Sequence, residues 1–284
     1  MPSFLSGLTG SFAQKADENP TVAMVEAAYR ATGLDVRYVN CEVAPADLAG
    51  AVRGAVAMGW LGFNCSLPHK VAVLAHLDEL APSAAVIGAV NTVVNRDGHL
   101  IGENTDGRGF VEAMLTRADP TGSRVLMFGA GGAARAIAVE TALAGAAHVT
   151  VVNRDAGRGQ ELSDLIASRT PATSDFIAWD HTIAIPADTN IVINATSIGF
   201  YPDVDAHLDF DSDTLLPGMV VADVITNPPM TNLIRAGQER GCITIDGLGM
   251  LVNQALVAIK LWTGKDVDGA VMRAVLEDLF GTAD

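Results

Sequence analysis

Arg124-Val-Leu-Met-Phe-Gly-Ala-Gly-Gly-Ala-Ala-Arg-Ala-Ile137 is the stretch on which the fold turns. A short apolar run ends in Gly129, Gly131 and Gly132, and an alanine-rich helical pattern follows at once. Strand, glycine turn and helix in that order are what a bound pyrophosphate requires. Gly129 permits a tight turn, Gly131 lets the backbone approach the phosphates, and small Ala134 allows close packing of helix on strand. The helix start adds unpaired N–H groups and a positive dipole end. Gly129, Ala130, Gly131, Gly132 and Ala133 are therefore the expected cradle of a dinucleotide. Over a hundred residues precede this motif, so a separate domain comes first.

Working outward, 284 residues suit two domains. The pattern predicts an α/β protein: a substrate-binding α/β domain over 1–107, a Rossmann-type doubly wound nucleotide domain over 108–245, and C-terminal helices over 246–284. A hydrophobic fraction of 49% supplies the cores, yet no apolar run has the length of a membrane span. Met1-Pro-Ser-Phe-Leu-Ser-Gly7 lacks the basic-then-apolar pattern of a secretory signal. Cys41, Cys65 and Cys242 are isolated and odd in number, which predicts a reducing cytoplasm without disulfides. Neither they nor the six scattered histidines have metal-site spacing. A formal charge of −15 opposes a nucleic-acid partner and favours solubility.

In the first part, Pro20 opens a helix that ends near Gly33, residues 35–41 alternate as a strand, and 45–58 read as helix with the proline in its first turn. A strand over 59–64, a helix over 71–80 and a hairpin of 90–95 with 99–102 across Arg96-Asp-Gly98 follow, then a helix over 109–117. Strands alternating with helices predict a largely parallel sheet. The second part continues as strand 149–152, helix 159–168, strands 191–194 and 219–223, helix 232–240 and strand 243–246. Amphipathic helices over 250–262 and 267–280 close the chain.

Three loops cluster polar groups at the ends of first-domain elements: Asn64-Cys-Ser-Leu-Pro-His-Lys70, Gly88-Ala-Val-Asn-Thr92 and Gly102-Glu-Asn-Thr-Asp106. Ligands of an open α/β sheet bind outside the carboxyl ends of its strands. A dehydrogenase acting on an alcohol needs a group to take the hydroxyl proton. Lys70, with Asp106 in a loop beside it, suits that role, because a nearby carboxylate orients an ammonium and a partly desolvated lysine serves as acid or base. Cys65 has no histidine partner and reads as packing. His69 reads as solvent-facing, and Trp60, Trp179 and Trp262 read as packing residues.

These segments, in this order, resemble those of the shikimate dehydrogenase family along nearly the whole chain. Asn64-Cys-Ser-Leu-Pro-His-Lys70 is similar to the family's Asn-x-Thr-x-Pro-x-Lys, with Ser66 in place of threonine. Gly88–Thr92, Asn104-Thr-Asp106, Phe128–Ala134, Asn153-Arg154, Asn194-Ala-Thr-Ser-Ile-Gly199 and Gly247-Leu-Gly-Met-Leu-Val-Asn-Gln-Ala255 supply the remaining segments. The resemblance implies Lys70 and Asp106 as the catalytic pair, with Ser66, Asn91 and Gln254 on the substrate's ring hydroxyls. Thr196, Ser197, Gly199, Gly247 and Met250 would line the cofactor. It also implies that the C-terminal helices return to the first domain. The expected reaction is hydride transfer between NADP(H) and a hydroxylated ring acid of the shikimate pathway, by a monomer or homodimer. A quinate-type or otherwise divergent dehydrogenase and a catalytically silent NAD(P)-binding sensor are the alternatives.

Three departures mark this chain. The family's Ser-x-Ser-Pro element, which holds the substrate carboxylate, corresponds with a one-residue insertion to Lys15-Ala-Asp-Glu-Asn-Pro20, so Asp17 and Asn19 replace the serines. A hydroxyl donates to a carboxylate, whereas an ionised Asp cannot and adds like charge. Either Lys15 compensates or the substrate differs from shikimate at that end. Thr226 stands where the family has a tyrosine before Asn-Pro. After the strand ending at Asn153, Arg154 and Arg158 suit the 2′-phosphate of NADP, while Asp155 suits the free 2′-hydroxyl of NAD. Two arginines against one carboxylate favour NADP and leave NAD open.

Overall fold

The computed structural model describes residues 4–17 and 19–282. Met1 to Ser3, which begin the stretch read for a secretory signal, and Glu18, inside the Lys15–Pro20 stretch, lie outside the described residues. The chain forms two compact units. One runs to Thr105 and includes Gln254–Asp278; the other comprises Asp106–Asn253 and the residues from Leu279.

The first unit begins with strand β1 (Gly7–Ala13), helix α1 (Thr21–Thr32) and strand β2 (Val36–Glu42). Pro20 stands at the N-cap of α1, and left-handed Gly33 ends it. A 3-10 turn over Pro45–Asp47 leads into α2 (Leu48–Ala57), and β3 (Gly62–Cys65) follows. The helix expected over 71–80 is not continuous: α3 (His69–Ala72) gives way to a 3-10 turn at Val73–His76 and then to strand β4 (Glu79–Leu80). The Asp78 carboxylate accepts the Leu100 N–H at 2.7 Å, and β4 joins the sheet, so long-range pairing outweighs local periodicity. Helix α4 (Pro82–Ile87), absent from the sequence reading, precedes β5 (Thr92–Arg96) and β6 (His99–Glu103). The β5–β6 hairpin turns through Asp97 (φ 54°) and Gly98 (φ 96°), the paired left-handed residues of a tight hairpin.

The sheet order is β2-β1-β3-β5-β6-β4. It is mixed rather than largely parallel, because β5 runs antiparallel to both β3 and β6. The alternation rule fails there because a two-residue turn links β5 to β6 and forces them antiparallel. Phe12, Phe63, Trp60, Val93 and Leu100 form the core of this unit.

The second unit opens with helix α5 (Thr105–Leu115), whose first residue belongs to the first unit. Strand β7 (Arg124–Phe128), helix α6 (Gly132–Leu143), strand β8 (His148–Asn153), helix α7 (Ala156–Arg169) and strand β9 (Thr173–Ala178) follow. A short β10 (Ile183–Ala184), β11 (Ile191–Asn194), a short β12 (Phe210–Asp211), β13 (Val220–Asp223), α8 (Asn232–Glu239) and β14 (Ile243–Ile245) complete it. The main sheet runs β14-β13-β11-β7-β8-β9 with every pair parallel, the doubly wound order. Its inner strands are apolar on both faces, as a sheet covered on both sides demands. Met127, Ile137, Val151 and Ile193 pack on one face, and Leu126, Phe128, Val192 and Val221 on the other.

Helix α9 (Gly247–Thr263) passes from the second unit into the first, and α10 (Gly269–Phe280) follows. In the first unit the Trp262 indole N–H donates to the Val93 carbonyl at 3.0 Å and fixes the end of α9 on β5.

Candidate functional site

In the first unit the polar candidates gather around the ends of β3 and β6 and the start of antiparallel β5. Strand β3 leads into Ser66, a cis Leu67–Pro68 peptide, His69 and Lys70. The Ser66 N–H donates to Phe12 O at 2.9 Å, and the Val90 N–H donates to Lys70 O at 2.8 Å, which fixes the loop at both ends. His69, expected to face solvent, is fully buried. Its Nε2 donates to the Val43 carbonyl at 2.8 Å, an acceptor on a distant loop that no local pattern reveals. Burial pushes the Cys65 thiol up to about 12, outweighing the downward pull of the Lys70 ammonium, so this cysteine stays a protonated packing group.

Asn91 is buried. Its Oδ1 accepts the Thr105 N–H at 2.7 Å, and its Nδ2 donates to Thr105 Oγ1 at 3.0 Å and to Gln254 Oε1 at 3.2 Å. Two expected substrate-binding residues, 163 apart in sequence, are thus brought together. Asn64 extends the network: its Oδ1 accepts from the Tyr38 hydroxyl at 2.8 Å, and its Nδ2 donates to Thr92 Oγ1 at 2.9 Å. Sequence reasoning quoted Asn64 and Thr105 only as motif members, and it passed over Tyr38. For Asn64 and Thr105 polar chemistry at strand ends was the available signal, whereas Tyr38 lies within β2.

Near the N-terminus, Asp17 is exposed and Asn19 is half-buried. Asn19 Nδ2 donates to Ser11 Oγ at 3.2 Å, its Oδ1 accepts the Thr21 N–H at 3.1 Å, and Ser11 Oγ donates to Asn40 Oδ1 at 2.9 Å. The Ser11 hydroxyl is therefore committed to an internal acceptor. Asp106, expected in a loop, stands in the first turn of α5 and is buried in the second unit.

In the second unit, Gly129 adopts φ +109°, and its N–H donates to Val152 O at 2.8 Å. A Cβ there would meet the Ala195 carbonyl oxygen at 2.8 Å, so the turn admits only glycine. Gly131 and Gly132 face open space with nothing within 4 Å of a built Cβ. That bare backbone, at the start of the twelve-residue α6, fits a pyrophosphate, with Ala130 and Ala133 flanking it.

After β8, Asn153 Nδ2 donates to Asp155 O at 2.8 Å. Asp155 is the N-cap of α7: its Oδ1 accepts the Arg158 N–H at 3.1 Å, and its Oδ2 lies 3.7 Å from the Arg158 guanidinium. The carboxylate that opposed a 2′-phosphate is thus engaged in capping and pairing. Arg154 lies over the Trp179 indole, 5.0 Å from the ring centroid.

The loop after β11 is held from within. Asn194 Oδ1 accepts the Thr196 N–H at 3.0 Å and its hydroxyl at 2.7 Å, and Thr196 Oγ1 accepts the Ile198 N–H at 3.1 Å. Ser197 is exposed, and Gly199 adopts φ +93°. Asn194 Nδ2 donates at 3.0 Å to Asp223 Oδ1, which also accepts the Ile225 N–H at 3.0 Å; Oδ2 accepts the Thr231 hydroxyl at 2.7 Å. Burial nevertheless raises the Asp223 carboxyl from 3.8 to about 6, outweighing these hydrogen bonds. Gly247 and Met250 lie in the first turns of α9, still within the second unit. Among the described residues no group of three His, Cys, Asp or Glu could hold a metal ion, and no helix is long and apolar enough to cross a membrane.

Residues 12–93 match the shikimate dehydrogenase substrate binding domain, and residues 247–277 match the shikimate 5′-dehydrogenase C-terminal domain. The shikimate dehydrogenase (NADP(+)) of Desulforamulus reducens is 39% identical over 94% of this chain and 93% of its own. Among solved structures, the 5-ketofructose reductase of Gluconobacter sp. strain CHM43 is 54% identical, covers 98% of this chain and 100% of its own, and superposes with a TM-score of 0.96. The shikimate 5-dehydrogenase of Listeria monocytogenes, solved with shikimate and NAD, is 33% identical, covers 95% and 96%, and has a TM-score of 0.90.

Proposed function

The chain belongs to the shikimate dehydrogenase family, and from that premise we propose an NADP(H)-dependent reductase of a small, neutral, polyhydroxylated ketone of the keto-sugar class. The observation that carries this reading is the N-terminal cluster. Where the family offers two hydroxyls to a substrate carboxylate, this chain has Asp17 and Asn19, and the nearby Ser11 hydroxyl already donates to Asn40. An ionised Asp accepts hydrogen bonds from substrate hydroxyls and repels a carboxylate. The 54% identity to a 5-ketofructose reductase, against 33% to a shikimate-bound relative, points the same way.

On this reading Ser66, Asn91 and Gln254 hold substrate hydroxyls, and the Asn91–Gln254 hydrogen bond orients both amides for them. Lys70 delivers the proton to the ketone oxygen as it becomes an alkoxide, and takes it back in the oxidising direction. The family resemblance gives Asp106 as the second catalytic residue. Gly129, Ala130, Gly131, Gly132 and Ala133 would hold the pyrophosphate. Asn153, Arg154 and Arg158 would hold the adenosine end, and Thr196, Ser197, Gly199, Gly247 and Met250 the nicotinamide end. When bound, the dinucleotide supplies hydride, a chemistry no side chain carries. Capping by Asp155 supports NADP over NAD, because that carboxylate is turned toward Arg158 and the α7 backbone.

A ring acid is the second reading, favoured by the relatives named shikimate dehydrogenase. The test is steady-state kinetics with NADPH and NADH on 5-ketofructose and other neutral keto-sugars, and with NADP+ and NAD+ on shikimate and quinate. Faster NADPH-dependent turnover of a neutral keto-sugar is expected. Higher kcat/KM on shikimate than on every neutral ketone would overturn the proposal.

A further inference from the structure

Arg154 is held in an unusual way for an exposed cation. Its guanidinium carbon sits 5.0 Å from the centroid of the Trp179 indole, and it makes no ion pair among the described residues. Trp179 is rigidly seated. It is buried, its Nε1 donates to Asp209 O at 2.9 Å, its backbone N–H donates to Asn153 O at 3.0 Å, and its ring packs on Phe128 at 5.0 Å. The backbone bond registers Trp179 against the residue preceding Arg154. Arg158, the other arginine of this corner, is engaged with Asp155. A guanidinium lying on an aromatic face keeps its N–H edges free, and those edges are what a phosphomonoester binds in bidentate fashion.

We propose that Trp179 is a positioning residue for cofactor choice: it holds Arg154 with its N–H edge presented to the 2′-phosphate of the adenosine ribose, before any ligand arrives. This rests on the NADP reading above and adds a residue that the glycine turn and the Asn153-Arg154 segment do not include. A flexible arginine would lose side-chain freedom on binding, and an arginine already seated on indole loses less. The contribution is therefore specific to ligands that carry the 2′-phosphate.

The experiment is isothermal titration of the full chain with two probes, adenosine 2′,5′-bisphosphate and adenosine 5′-monophosphate, for wild type, Trp179→Leu and Trp179→Phe. Trp179→Leu is expected to weaken the bisphosphate by about two- to fivefold, the size of an exposed cation–π pair, and to leave the monophosphate unchanged. Trp179→Phe, which keeps a ring under the guanidinium, is expected to restore most of that loss. Equal weakening of both probes, or of neither, in a folded Trp179→Leu protein overturns the positioning role while NADP preference stands. Wild type that fails to prefer the bisphosphate overturns the NADP reading itself, and this inference with it. Should Trp179→Leu not fold, indole emission decides. Arg154→Met, an exposed change, is expected to alter tryptophan emission and abolish its response to the bisphosphate, and an unchanged spectrum and response overturn the stacking.

Discussion

Asp223 offers a measurement that reads the second unit directly. Its carboxylate ties three segments together, the ends of β11 and β13 and the N-cap of α8, through Asn194, Ile225 and Thr231. Burial raises its pKa from 3.8 to about 6, so the folded form binds the proton more tightly than the unfolded chain. The sign follows from linkage. The stability associated with this proton is fully present below about 3.8 and is lost as pH rises through about 6. Two pKa units correspond to about 3 kcal/mol in the limit, and integration between pH 7 and pH 4.5 gives about 2 kcal/mol. The perturbation is Asp223→Asn, which cannot ionise. Urea denaturation at both pH values gives the stability difference between wild type and variant, and the many other carboxylates cancel in that difference. Wild type is expected to gain about 2 kcal/mol relative to the variant on acidification. His207, Arg235 and Glu239 line the cavity that Asp223 borders, so the pair is repeated in a His207→Asn background to remove the histidine's own titration. A difference that stays constant from pH 7 to pH 4.5 would refute the assignment of a buried, desolvated carboxylate.

Three further outcomes test the site. Lys70→Ala is expected to lower kcat by about 10²- to 10⁴-fold with KM for the ketone little changed, measured by steady-state kinetics; unchanged turnover removes Lys70 from the proton transfer. Asp155→Ala removes the α7 N-cap and should cost about 1 kcal/mol in denaturant unfolding, while an unaltered midpoint would deny the cap. Cys65, with its thiol pushed up to about 12, should resist iodoacetamide at pH 8 until urea unfolds the chain, and Cys65→Ala should retain turnover. Rapid native labelling at Cys65 would contradict its burial.

Much of the second unit was legible locally. The run from Arg124 to Ile137 encodes a strand, a turn that only glycine can make at Gly129, and a helix, all within a few residues of one another. Periodicity also placed α1, β2, β8, β11, β13 and α8 close to their observed limits. The failures share a cause. Helix α5 starts at Thr105, four residues before the sequence pattern implied, because Asn91 from another strand end accepts the Thr105 N–H at 2.7 Å. A cap supplied from fourteen residues away leaves no mark on the helix's own sequence, and polar Asn104-Thr-Asp-Gly107 reads as a loop without it.

By itself, then, the sequence determined the doubly wound nucleotide unit, the order of the polar loops and the residue types available for proton transfer and phosphate binding. Those follow from glycine geometry, hydrophobic period and side-chain chemistry, which are local. Only the tertiary structure decided that His69 turns inward to the Val43 carbonyl, that Gln254 meets Asn91, and that the first sheet is mixed. It also decided where the opposing groups at the end of β8 turn. From residue types alone Asp155 and Arg154 oppose each other. In the fold the carboxylate turns to cap α7 and the guanidinium lies on Trp179, because the free N–H of a helix start and an aromatic face from β9's end are partners only the folded chain brings near.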